Sequence, residues 1–258
     1  MPIDPPPTDW KMLQERVCRI LADCKMKATV EEDVVLTRGK ANVDVVAIDE
    51  LYEPRTVYFC ECKYWDANVS KDVVHAFQTV VASAGANWGL LIAKTGFQSG
   101  AVEAAEKSNI KLLTWDEFVM LFENRWVELH FRPTIRDKLT FLWDCYENRW
   151  DSHMPKLRHF HDKVAQLKEI TSNISDYLWS GWLLTHPEHS DSHDLKTPLN
   201  TIKFGLSYKP QEIAEEQYLR NILNTCVRKY DVARAAIDDL HNSLPRENPW
   251  PNSGRRWP

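Results

Sequence analysis

Nowhere in the chain do 18 apolar residues follow one another, and the opening MPIDPPPTDW has no basic stretch leading into an apolar one. Neither a membrane-spanning helix nor a leader is therefore expected, and the cytoplasm is the expected location. Cysteine is sparse. Cys18, Cys24, Cys60, Cys62, Cys145 and Cys226 include no CxxC pair, and too much chain surrounds them for a disulfide scaffold, so they read as reduced, mostly buried thiols. Positive charge is not in excess either. The net charge is -5, and all of it falls in residues 1–135, where 15 Lys and Arg face 20 Asp and Glu; residues 136–258 balance at 17 and 17. The basic footprint common among nucleic-acid-binding proteins is missing. An acidic half can still hold phosphate if its carboxylates gather divalent cations, because a bound metal is the largest local charge in its site. There is no internal repeat.

What is present is an ordinary globular composition, 43% hydrophobic and 27% charged over 258 residues, enough for one large domain or two small ones, with two expected. Hydrophobic spacing separates two regimes. The first alternates helix and strand. A helix from about Asp9 to Cys24, capped by Thr8 or Asp9, turns Trp10, Leu13, Val17, Ile20 and Cys24 to one face. The strand-like runs ATVEEDVVL, VDVVAID and TVYFCECKY follow, separated by the turns RGKAN and ELYEPR. A helix over 70–84 presents Val73, Phe77, Val80 and Ala84 inward and leads to the strand WGLLIAK. Residues 99–107 are helical, IKLLT is a short strand, and Thr114 with Glu117 forms a capping box opening a helix through Leu121. This order predicts an α/β domain over residues 8–130, a mixed sheet covered on both faces.

From about Pro133 the strand signal ends. Pro133, Pro155 and Pro210 each suit a first helical turn. Apolar stripes run from Leu157 through Phe160, Val164, Leu167, Ile170 and Ile174 to Leu178, and from Ile213 through Leu219, Ile222, Cys226, Tyr230, Ala233 and Ile237 to Leu240. We therefore expect an all-α domain over 133–244. Its stripes look too long to cover each other, which predicts self-association through the helix from Pro210 to Leu244. The polar link THPEHSDSHD and the tail 245–258, rich in proline and asparagine, read as unpacked.

Chemistry enters at VYFCECKYWD, residues 57–66. A strand has period two, so Val57, Phe59, Glu61 and Lys63 share one face while Tyr58, Cys60, Cys62 and Tyr64 take the other. On the preceding strand Asp44 stands alone among valines, and a hairpin through ELYEPR would bring it beside Glu61. An isolated charge in a valine-rich strand is costly to bury without a partner. Asp, Glu and Lys at one point suit metal-assisted phosphodiester hydrolysis. The hard carboxylates hold Mg2+ with positions left for water and phosphate, the Cys62 backbone carbonyl can add a ligand, and the lysine can act on the water or on developing negative charge. The competing reading of Glu61 and Lys63 is a surface ion pair on an edge strand.

Asp44 with Glu61-Cys62-Lys63 resembles the signature of the PD-(D/E)xK nucleases, and within them the Mrr-like restriction endonucleases. The resemblance runs from Trp10 to about Phe122, with CKYWDANVSKDVVHAFQTVVASAGANWGLLIAKTGFQSGA similar to the run in which a lysine strand leads to a helix, a strand and a TxGF-like turn. It implies a restriction-endonuclease-like fold and an Mg2+-dependent DNA endonuclease, with Mn2+ able to substitute, in restriction or antiviral defence. By position it implies Asp44 and Glu61 as metal ligands and Lys63 as the catalytic lysine. It further implies Glu15 as a carboxylate on the first helix facing the site, and Gln78 as a glutamine on the helix after the ExK strand. The chain departs from the commonest pattern in two places: Glu61 stands where many members have glutamine, and RGKAN replaces a glycine-rich stretch. The alternative function is a non-catalytic nucleic-acid-binding or assembly module on the same fold. In the helical half, SHDLKTPLN resembles the phosphoacceptor box of sensor histidine kinases with His193 as acceptor, but no asparagine or glycine box follows. His186, His189 and His193 could instead group around zinc, though no cysteine is near.

Overall fold

A computed structural model describes residues 2–138 and 216–243, together with Ala165, Gln166 and Ile170. The expectations for Cys145, for the stripe around Leu157 to Leu178 apart from Ile170, for Pro155 and Pro210, for His186, His189 and His193, and for the tail lie outside these residues. The chain divides into two compact units. Among the described residues the first takes 2–133 and 216–222, and the second takes the remainder.

The first unit is an α/β layered structure. Its elements are α1 (Trp10–Asp23), β1 (Lys27–Val35), β2 (Lys40–Asp49), β3 (Thr56–Lys63), α2 (Lys71–Ala84), β4 (Trp88–Ala93), α3 (Ser99–Ala105), β5 (Ile110–Thr114) and α4 (Trp115–Trp126). The sheet order is β1-β2-β3-β4-β5. β1, β2 and β3 form an antiparallel meander joined by short turns, whereas β3, β4 and β5 are parallel and need α2 and α3 as crossovers. The mixed sheet expected from the order of periodicities is therefore what forms.

Two helical layers cover it. Val46 of β2, Phe59 of β3 and Leu91 of β4 join Val74, Phe77 and Val81 of α2 and Ala101 of α3 in one buried cluster. By strand alternation Val45, Cys60, Leu90 and Ile92 face the opposite layer, where α1 packs against β1, β2, β3 and α4. Asp9 is the cap of α1, its carboxylate accepting from Met12 N at 2.8 Å. The inward face comprises Leu13, Gln14, Val17, Ile20 and Leu21. Trp10, the first residue of the helix, is in phase with that face yet 56% exposed. The inward face of α2 is also rotated from expectation. Val74, Phe77 and Val81 are buried, while Val73, Val80 and Ala84 are only partly so; Val73 and Val80 border an open cleft.

Close approach of α2 to the sheet depends on Gly89. A Cβ built there would lie 2.5 Å from Ile110 Cδ1 and 2.9 Å from both Phe77 and Val81, so no larger residue fits between strand and helix.

Thr114 and Glu117 form the expected capping box. The helix they open is longer than expected, running to Trp126 and continuing as a π-turn over Val127–Phe131 and a helical stretch to residue 138. Pro133 thus lies inside a helical run instead of opening one. In a regular helix its ring would meet the carbonyl of Leu129, and the widened turn directly before it relieves that clash.

Two ion clusters tie the ends of this unit together. Arg125 of α4 makes a forked bond to Asp49 at the end of β2, with Nη2 to Oδ1 at 2.8 Å, and donates from Nε to the Cys24 carbonyl at 3.0 Å. Asp49 also accepts from Leu51 N at 3.1 Å. The second cluster is made by residues 2–4 and 216–222. Leu219 and Arg220 open α5 (Leu219–Asn242), and their N–H groups donate to the carbonyls of Pro2 and Ile3, each at 3.0 Å, which satisfies donors that a helix start leaves open. The Arg220 side chain bonds Asp4 at 2.7 Å and Asp23 at 2.7 Å and lies over the Trp126 ring at 5.3 Å. Ile3 and Asp4 are buried.

On α5 the apolar residues Leu219, Ile222, Leu223, Ala233, Ile237 and Leu240 are buried within a single copy. Cys226 and Tyr230 of the same stripe are half-buried. Among the described residues no helix is long and apolar enough to cross a membrane.

Gly89→Ala is expected to destabilise the fold by about 1–3 kcal/mol in denaturant unfolding, the range for overpacked cores. Asp49→Asn should cost about 2–4 kcal/mol at pH 7, since the half-buried Arg125 guanidinium loses its charge partner. The forked Arg125 bond holds the Asp49 carboxyl below the usual carboxylate range. Its stabilising contribution is therefore present above the unfolded-state value near pH 4 and disappears as pH falls through the lower folded value. The gap between wild type and Asp49→Asn in pH-dependent melts should close only in that acid range.

Candidate active site

β2 and β3 pair from Asp49↔Thr56 to Val45↔Cys60 and then part. Lys63 and Val57 of β3 turn their carbonyls to the β4 side, accepting from Lys94 N and Asn87 N at 2.9 Å each. The alternate residue Cys62 therefore points its backbone N–H and carbonyl toward β2. Past the last ladder pair no β2 backbone receives that N–H. The Asp44 carboxylate does, with Oδ2 accepting at 2.7 Å, while its Oδ1 accepts from Gln14 Nε2 of α1 at 2.8 Å.

A local break in β2 sets this position. Val43 and Val46, three residues apart, both lie in the α2-side cluster, which strict alternation forbids. Across the strand, the β1–β2 ladder omits the Glu31–Asp44 position, and Glu31 has φ of 52°, a left-handed backbone uncommon outside glycine. The irregularity lets the Asp44 carboxylate reach the gap.

Glu61 and Lys63 stand together on the α2 side, as the period of the strand requires, and form an ion pair. They are not a surface pair of the common kind: their side chains retain only 22% and 18% exposure. Both line a cleft with Asn42, Val43 and Trp65. Burial raises the Glu61 carboxyl above its usual range; the Lys63 hydrogen bond opposes this, and the nearby Asp44 charge adds to it. Two carboxylates near one another and partly withdrawn from water are a donor set that a cation can bridge. The Cys62 thiol is buried and raised well above its ordinary value by burial first, so sulfur offers no soft ligand; Cys62 can contribute only its carbonyl.

The structure thus brings Asp44 to the backbone between Glu61 and Lys63. It does not bring Glu15, which is exposed on α1; Gln14 occupies the inward position instead and is 7% exposed. Gln78 is half-buried and does not line the cleft. At about 100° per residue it sits roughly 150° around α2 from the face of Val73 and Val80. Gln14 was legible in principle: with Val17 and Leu21 it repeats at three and four residues, marking a buried amide on an apolar face.

Among the described residues, no three or more His, Cys, Asp or Glu side chains group to hold a metal by themselves. Two carboxylates and a carbonyl remain. This suits a hard cation such as Mg2+, which keeps several waters and takes one or two carboxylates together with substrate phosphate.

The mixed sheet with flanking helices, and the acid and ExK strands side by side, define the restriction-endonuclease-like fold class. Residues 8–122 match the family model Mrr_cat, described as restriction endonuclease. Nuclease activity is the activity that this match suggests. No curated protein matches the chain. Among solved structures it is similar to a crystal structure of a protein of unknown function, AF1548, at 15% identity and a TM-score of 0.39, over 64% of this chain and 98% of that one; a likeness that remote carries no argument.

Asp44 has a structural duty as well. Asp44→Ala leaves the Cys62 N–H and the Gln14 amide without their acceptor and should cost about 2–4 kcal/mol by denaturant unfolding, whereas Asp44→Asn, which keeps one acceptor, should cost about 1 kcal/mol. Equal loss in the two variants would show that the acceptor role is unimportant.

Proposed function

We propose that the chain is a divalent-metal-dependent DNA endonuclease in which Asp44, Glu61 and Lys63 form one active site. The observation that carries this reading is the meeting of the half-buried Asp44 and Glu61 carboxylates with Lys63 where β2 and β3 part. Asp44, Glu61 and the Cys62 carbonyl would hold the metal, which supplies Lewis acidity toward the phosphate and a more acidic bound water. Gln14 and the Cys62 N–H fix the Asp44 carboxylate in the orientation it needs without neutralising it. Lys63, held by Glu61 at the edge of the cleft, orients the attacking water or stabilises the charge that develops on the phosphate. Mg2+ is the expected ion and Mn2+ a competent substitute. DNA is the substrate, and restriction or antiviral defence is the setting that the family suggests. Glu15 and Gln78 have no part in this reading.

The test is nicking of supercoiled plasmid by purified protein with and without Mg2+, with metal binding followed by calorimetry. Asp44→Asn and Glu61→Gln should abolish cleavage and weaken Mg2+ binding, since too few hard oxygens remain. Lys63→Ala should lower turnover by about a hundredfold or more while Mg2+ still binds. Because Glu61 holds its proton to higher pH than an ordinary carboxyl, proton and cation compete there. Mg2+ affinity should fall as pH drops through that raised value, and the fall should flatten in Glu61→Gln. Wild-type cleavage by Lys63→Ala, or unchanged Mg2+ binding by Asp44→Asn, would return Glu61 and Lys63 to a structural ion pair.

A further inference from the structure

The cleft bordered by Glu61 and Lys63 has a volume of about 310 Å³, and its remaining walls are largely apolar: Val43 of β2, Trp65 just after β3, and Val73, Phe77 and Val80 of α2. Phosphate, metal and water have no use for such walls, which weaken polar binding instead of supporting it. The part of a nucleic acid that is flat, apolar and within reach of its own phosphate is the face of a base. In a stacked duplex both faces of each base are already covered, so only an unstacked base could occupy the space. Trp65 stands at the cleft with 46% of its surface exposed. Its ring lies 5.2 Å from Lys63 Nζ, so the ammonium that pairs with Glu61 also steadies the indole. Asn42 supplies an amide at the rim, its Nδ2 engaged by Asp33 at 3.1 Å. The volume, at the lower end of the roughly 300–1,000 Å³ of ligand sites, suits one base and not a longer stack.

We propose that this cleft receives a single unstacked nucleobase of the DNA strand being cut, stacked on Trp65, which sets the phosphodiester of that nucleotide beside Glu61 and Lys63. The proposal rests on the nuclease reading above and names its substrate form: DNA that is single-stranded, or open, at the position of cleavage. Aromatic stacking of bases contributes about five- to hundredfold per base in single-strand binding and is tolerant of sequence.

The experiment compares two strands of equal length and phosphate count, oligothymidylate and its fully abasic counterpart, by fluorescence anisotropy with the full chain in Ca2+ in place of Mg2+. The phosphate contribution is common to both strands, so the affinity ratio reports the base alone. Wild type should favour the base-bearing strand by about tenfold. Trp65→Ala should bring the ratio near one, and Trp65→Phe should retain most of it. Ala76→Phe fills the cleft from α2 at an exposed position; it should also bring the ratio near one, and it decides the matter if Trp65→Ala fails to fold. A wild-type ratio near one with both strands bound overturns the base site and leaves the nuclease reading standing. So does a ratio unchanged in both Trp65→Ala and Ala76→Phe. Binding of neither strand overturns the base site as well, and the nuclease reading then stands or falls with plasmid nicking alone.

Discussion

The N–H of Cys62 has no strand partner, because β2 and β3 stop pairing after Val45 and Cys60, and the Asp44 carboxylate takes the place of that partner at 2.7 Å. Without an acceptor there, a backbone donor would be left unpaired beside the buried centre of the sheet, at a cost comparable to a lost hydrogen bond. With it, the gap is held open at a fixed width. The Cys62 carbonyl is turned into the gap, and Glu61 and Lys63 on either side are presented to the α2 face. One hydrogen bond thus gives the strand ending its stability and the site its geometry.

The arrangement is held from outside by charges that are themselves largely buried. Asp49, with its forked partner Arg125, anchors the far end of β2 to α4 and, through the Cys24 carbonyl, to the end of α1. Asp4, Asp23 and Arg220 fasten the chain entering α1 to the start of α5. Buried pairs of this kind add little net stability compared with apolar packing, but breaking one partner is expensive, so they restrict the chain to a single register. α1 is held at both ends, and α1 carries Gln14 to Asp44.

Glu61 and Lys63 pair at the edge of the cleft with most of their side chains withdrawn from water, and Asp44 adds a second carboxylate nearby. The same apolar surfaces of α2 that bury the core on one side lower the dielectric around the ion pair on the other, which strengthens every charge interaction inside. A neutral, well-packed sheet would be more stable there. In the function proposed above, the carboxylates accommodate a cation and the open apolar space a base.

Much of this was legible in the sequence by itself. Period two put Glu61 and Lys63 on one face, the alternation of helical and strand periods specified a mixed sheet, and Thr114 with Glu117 announced the start of α4, because these depend on local geometry and on bonds within a few residues. The resemblance of residues 10–122 to a nuclease family likewise rests on side-chain order alone. What the sequence left open depends on distant contacts. Whether Glu15 or Gln14 faces Asp44 turns on a 100° rotation of α1 that only its packing against the sheet sets, and Gln78 is carried away from the cleft by the same kind of rotation in α2. The break at Glu31 and Asp44 arises from pairing between strands. The burial of Ile3 and Asp4 arises from contact with residues more than 200 positions away. Periodicity records which side of an element is apolar; only tertiary packing decides what that side meets.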